Sequence, residues 1–161
     1  ALGSALFLLA APGVVAVLVP WLLGAWEFET PAPGWIALRV AGGVIIAAGA
    51  AALLHSFARF VVEGIGTPAP VAPTRTLVVG GLYRHLRNPM YVAVAALIVG
   101  QALLFGRPWL LAYAAAFVAA VATFVRHYEE PTLERSFGAS YYAYRRAVPA
   151  WIPRLRPWRG E

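Results

Sequence analysis

Residues 89–125 read PMYVAVAALIVGQALLFGRPWLLAYAAAFVAAVATFV. Arg107 is the only charged residue in this stretch, and it sits inside the break Gly106-Arg107-Pro108. The apolar runs on either side, 89–105 and 109–125, approach the length of about 20 residues that a membrane-crossing helix needs. A break this short folds two such helices back on each other as an antiparallel hairpin.

Two further apolar runs lie upstream. The first, about 6–26, carries no charge. It lacks the basic start of a cleaved signal peptide and ends in Pro20, Trp21 and Trp26, so a retained helix is expected. The second, about 35–60, has Arg39 near its start, placed to snorkel to the interface. Its centre is almost all Gly, Ala, Val and Ile, which lets neighbouring helices approach closely in lipid. Between the second and third runs lies a Pro- and Gly-rich connection, 61–88, in which Leu77-Val78-Val79 is too short to span anything. After the fourth run the helix is expected to continue to Phe137 and stop at Gly138. A short amphipathic helix over 140–148 and a Pro- and Arg-rich tail follow.

Composition agrees. Apolar residues make up 61% of the 161 residues and charged ones 12%, against about 45–50% and about 25% in soluble domains. The chain has no Cys, Asp or Lys. That removes disulfides, thiolate metal sites and Cys nucleophiles, and leaves little for a carboxylate metal centre. Of the 13 arginines, only Arg39 and Arg107 lie outside residues 59–88 and the stretch after Val125. With four spans those two regions share one side, which the positive-inside rule makes cytoplasmic. All six Trp fall at run ends or in the tail, as an interfacial belt does. The net charge of +6 is thus explained by topology, and no nucleic-acid partner is expected. The tail arginines Arg145, Arg146, Arg154, Arg156 and Arg159 are expected to lie on anionic headgroups. The expectation is one all-α integral membrane domain, residues 1–161. It has about four transmembrane helices, a C-terminal helical hairpin and a cytoplasmic amphipathic tail.

Two polar clusters interrupt this apolar plan. The first, 81–91, reads GLYRHLRNPMY and leads into the third run. Pro89 suits the first helical position and Asn88 the N-cap. The helix N-terminus and Arg87 can then hold a carboxylate. The second, 126–131, reads RHYEEP. Paired glutamates at a membrane boundary need a partner or a purpose, and they can accept hydrogen bonds from an ammonium or from ribose hydroxyls. Arg126 and Glu130 have the i, i+4 spacing of a helical ion pair. His127 and Glu130 could also hint at a metal, but no partner cluster exists and no metal is expected. The hairpin brings both clusters to the same end of two packed helices. His55, toward the same end of the second run, is read as a packing residue.

Gly81-x-Tyr83-Arg84, Arg87-Asn88-Pro89-Met90-Tyr91, Glu129-Glu130-Pro131-x-Leu133, Phe137-Gly138, Tyr141, Tyr144 and Val148, with this spacing, resemble the isoprenylcysteine carboxyl methyltransferase and phospholipid methyltransferase superfamily. Many members have His where this chain has Asn88. Gly66-Thr67-Pro68-Ala69-Pro70 is similar to bacterial relatives of the isoprenylcysteine enzymes. The resemblance covers roughly 64–153. It implies S-adenosylmethionine bound without a Rossmann domain, by Tyr83, Arg87, Asn88, Tyr91, Glu129, Glu130, Tyr141 and Tyr144. It implies a lipid-like or small apolar acceptor, with an isoprenylcysteine-like carboxylate as the first guess, at the cytoplasmic face of a bacterial inner membrane. A carboxylate acceptor needs an orienting cation, for which Arg84, Arg126 and Arg145 are candidates. An amine acceptor needs a base, and Glu130 or His127 is placed for it. Two alternatives stand beside this reading: a sterol-reductase-like NADPH enzyme, and a non-enzymatic membrane scaffold.

Overall fold

A computed structural model describes residues 9–24, 26–64 and 76–160. The Gly66–Pro70 similarity lies outside the described residues. The described residues form helices and irregular segments, with no strand among them. A π-helical stretch Leu9–Leu18 runs into the α-helical turn Val19–Leu22, together α1. Helix α2 is Ile36–Gly64, α3 is Pro89–Phe105 and α4 is Trp109–Phe124. A π-turn Val125–Glu129 joins α4 to α5, Glu130–Ala147. The hairpin, its Gly106 stop and the run-on of the fourth helix follow the sequence pattern. Helix α2 continues a turn further than its apolar run, into the polar connection.

Two helices are long and apolar enough to cross a membrane, within Ile36–Glu63 and Trp109–Ala147. Ala11–Leu22 and Pro89–Phe105 are apolar but shorter. Length and composition therefore give two helices able to cross a membrane, and they do not carry the expected count of four. Helix α3 is the central element, packed between α2 and α4 around Ile98, Ala102 and Leu110. The α2–α3 contact is backbone to backbone. A methyl group on Gly42 would lie 2.6 Å from the Gly100 carbonyl oxygen, and one on Gly100 would lie 2.9 Å from the Gly42 carbonyl oxygen. Only glycine permits that approach in lipid, where close packing supplies much of the attraction between helices.

The polar residues inside the apolar layer are explained by Pro20. Proline has no N–H to donate. An α-helical bond from residue 20 would end on the Ala16 carbonyl, and a π-helical one on the Val15 carbonyl. One of these carbonyls therefore lacks its helical donor, and both are met by side chains of other helices. Gln101 Nε2 donates to Ala16 O at 2.6 Å, and the Tyr113 hydroxyl donates to Val15 O at 2.9 Å. Gln101 Oε1 in turn accepts from the Trp26 indole at 3.1 Å. The amide is thus an internal cap for α1.

The two outlying arginines close the same end. Arg107 pairs with Glu27 at 3.0 Å and with Glu29 at 2.7 Å. Arg39 donates to the carbonyls of Glu29 and Leu104 and stacks over Phe28. Arg39 is held at the start of α2 by these acceptors.

Gln101→Leu should lower stability by about 1–3 kcal/mol, since it leaves a buried carbonyl without a donor. In a Pro20→Ala background, where residue 20 regains its N–H, the same change should cost about 1 kcal/mol less. Unfolding midpoints in detergent for the four chains test this; equal costs in both backgrounds contradict the assignment.

Candidate active site

The turn before α3 is built by short-range constraints and then held from outside. Gly81–Arg84 forms a 3-10 turn that buries Tyr83 against Phe60. The following residues are clamped by the segment after Val148. The Arg87 N–H donates to Pro149 O at 2.9 Å, and the Asn88 amide donates to Ala150 O at 3.2 Å. Arg154 N–H donates to His85 O, and Trp158 N–H to Arg84 O, both at 3.0 Å. His85 Nδ1 lies 2.8 Å from the Arg154 carbonyl, so that nitrogen carries the proton. The tail is therefore a strap over the motif turn rather than an arm lying only on headgroups. The expected Asn88 cap is corrected in the same way. Asn88 occupies the N-cap position of α3, but its side chain makes no capping bond and reaches the strap instead.

The second cluster arrives from α4. The π-turn inserts an extra residue into the helical register just before the glutamates, and π-turns often mark functional sites. This alters the expected pairing. No Arg126–Glu130 ion pair forms among the described residues; Arg126 is exposed and Glu130 turns the other way. Arg87 Nη1 donates to Glu130 Oε1 at 2.5 Å and to the Tyr141 hydroxyl at 3.0 Å. Arg145 approaches Glu130 Oε2 at 3.3 Å and also pairs with Glu134. One carboxylate thus lies between two guanidiniums. Glu129 takes a different partner, the Tyr91 hydroxyl, at 3.2 Å. Burial raises the Glu129 carboxyl above its ordinary value; the Tyr91 hydrogen bond pulls it back and the neighbouring Glu130 charge pushes it further up. Burial likewise raises Tyr83 well above the usual phenol, so it stays neutral.

Helix α5 is bent at Gly138, whose φ of 50° and ψ of −122° break the helix. The bend turns Tyr141 and Tyr144 inward, where both are buried against Leu77, Val79 and Trp158. The Tyr144 hydroxyl donates to the Tyr83 carbonyl at 2.7 Å. The predicted stop at Gly138 and the short amphipathic helix after it are both present.

These residues enclose a cavity of about 80 Å³. Tyr83, Arg87, Asn88, Glu129, Glu130, Tyr141 and Tyr144 all line it. Tyr91 stands behind Glu129 and does not line it. Arg84 and Arg126 are exposed and lie outside its wall. Of the apolar wall, Leu133 belongs to the Glu129-Glu130-Pro131-x-Leu133 motif, and Phe60, Leu77, Val78 and Val125 were not identified from sequence. Their one legible signal was the Leu77-Val78-Val79 triplet, apolar in a polar connection and too short to cross a membrane. One buried polar atom of the wall, Arg87 Nε, has no hydrogen-bond partner among the described residues.

A membrane-embedded helical protein with paired carboxylates and a guanidinium at one helix mouth is thus the class that fold and site define. The sequence model of the phospholipid methyltransferase family, PEMT, matches residues 37–140. The chain belongs to the phospholipid methyltransferase family, part of the isoprenylcysteine carboxyl methyltransferase-like superfamily. No curated protein and no solved structure matches it. The family match takes in both motif clusters and ends at residue 140, before Tyr141, Tyr144 and the strap.

Replacing Gly138 by Ala should cost about 1–3 kcal/mol, because a side chain is forced into a glycine conformation. Nothing lies within 4 Å of the added methyl, so the penalty is one of backbone alone. Denaturant midpoints should show the loss for Gly138→Ala and a change of less than about 0.5 kcal/mol for the exposed Ser140→Ala.

Proposed function

We propose that the chain is an S-adenosylmethionine-dependent methyltransferase whose acceptor is carried by a membrane lipid. The observation that carries this is the cavity where Arg87, Glu129 and Glu130 converge at the mouth of the helical hairpin. The bound cofactor would supply an electrophilic methyl group on a sulfonium. Its amino-acid end is a zwitterion, and the donor set fits it. The carboxylate would replace Glu130 on Arg87 and would also engage the orphaned Nε. The ammonium would replace Arg87 beside the glutamates. The amino-acid end adds no net charge and leaves neither Arg87 nor Glu130 unpaired, which avoids the cost of about 3–5 kcal/mol for a buried charge left without a partner. The cavity is smaller than the roughly 300–1,000 Å³ of ordinary ligand sites. Binding therefore has to part Arg87 from Glu130 and widen the space between them.

The chain's own contribution to the reaction is position and dryness. Methyl transfer is an in-line displacement, which rewards orientation. Phe60 and Val125 place the apolar side of the cavity at the ends of α2 and α4, next to lipid. A lipid-borne acceptor can then present its head group without leaving the membrane. The family description makes a phospholipid head group the first candidate. A carboxylate-bearing prenyl lipid is the second, because Arg145 remains 42% exposed beside Glu130 and can orient an acid. Membership of a methyltransferase family weighs against the reductase and scaffold alternatives. The arginine-rich end is assigned to the cytoplasmic face of a bacterial inner membrane, where the cofactor is made.

A pH dependence follows from Glu129. Its carboxyl is raised, so it is protonated and unable to hold an ammonium at the acid end. Affinity for S-adenosylhomocysteine should rise as pH climbs from the ordinary Glu value of about 4.3 through the raised value of Glu129. In Glu129→Gln that rise should flatten. Isothermal titration across this range tests it; affinity that falls as pH rises contradicts the role.

A further inference from the structure

The strap after Val148 turns its polar backbone inward and its aliphatic side chains outward. Four of its residues are pinned to the turn before α3: Pro149, Ala150, Arg154 and Trp158. Arg154 is also tied back to the Ala147 carbonyl at 2.6 Å. Between and beside these pins, Ile152 is 78% exposed and Leu155 is 97% exposed. Leu155 is the most exposed large apolar residue among the described residues. These side chains are held outward by a segment fixed along its length.

The depth of the strap is set by Trp151. Its ring lies 6.5 Å from Tyr91, in the first turn of α3, where that helix enters the apolar layer. The strap therefore starts level with the mouth of α3. Arg146, Arg156 and Arg159 are exposed before and along it. Aliphatic tips with arginine neighbours at that depth fit the boundary between headgroups and acyl chains.

We propose that the strap is a membrane-surface anchor. Ile152 and Leu155 dip into the leaflet that α3 enters, and Arg146, Arg156 and Arg159 meet its anionic headgroups. The anchor is one strap-width from the cavity, because the same segment holds the backbone of Arg87. Seating it on the leaflet presses the cavity mouth against lipid. This inference does not depend on the identity of the cofactor.

The chain has no Cys, so Leu155→Cys offers a unique site for an environment-sensitive fluorophore. The labelled full chain is placed one copy per nanodisc, in phosphatidylcholine alone or mixed with phosphatidylglycerol. Nitroxides on the lipid chains should quench the label, and aqueous acrylamide should quench it several-fold less than free dye. Adding Arg156→Ser and Arg159→Ser should weaken lipid quenching in the anionic discs toward the level of the neutral ones. A label as open to acrylamide as free dye overturns the anchor. So does a label shielded from both quenchers in crowded proteoliposomes but open to water in single-copy discs, which would assign the face to a second copy.

Discussion

A guanidinium at the mouth of a membrane helix has to be neutralised, and in this protein that residue is Arg87. It is the second residue before α3, and its side chain is only 13% exposed. The rest of the arginine-rich end is arranged around it. Glu130, 43 residues later in the chain and equally covered, supplies the charge. The π-turn after α4 changes the helical register just before that carboxylate. The bend at Gly138 brings the Tyr141 hydroxyl to the same guanidinium, and the strap fixes the Arg87 backbone through Pro149. The same pair makes the proposed cofactor exchange electrically neutral, so the constraint that shapes the fold also prepares the site.

The opposite end solves a related problem with different means. Arg107 is met by the carboxylates of Glu27 and Glu29, and Arg39 by the carbonyls of Glu29 and of Leu104 at the end of α3. Pro20 deprives α1 of one N–H donor, and Gln101 and Tyr113 donate to the two carbonyls that it could have served. Between the ends, α2 and α3 touch through glycine. The cavity lies at the other end, where the polar residues gather.

Much of this was legible in the sequence because lipid imposes strong patterns. The Gly106-Arg107-Pro108 break defined the hairpin, the arginine distribution separated the two ends, and Gly138 marked a real interruption. The motif residues were identifiable because polar side chains next to an apolar run need a reason. What could not be read was long-range pairing. The i, i+4 spacing of Arg126 and Glu130 suggested a local bond, but a π-turn changes the register and has no clear signature in VRHYE. Asn88 looked like a cap because the rule is local, while its real partner, Ala150, lies 62 positions away. The strap itself was hidden because its bonds are mostly backbone to backbone, and backbone groups look alike in every sequence.

The central claim is that the two motif clusters form one cofactor pocket closed by the Arg87–Glu130 pair. The most direct measurement is a structure of the detergent-purified protein with S-adenosylhomocysteine. The account predicts that the ligand's carboxylate lies on Arg87, with its ammonium beside Glu129 and Glu130 and the ion pair parted. Ligand density elsewhere, or none while Arg87 and Glu130 stay paired at saturating ligand, would contradict it.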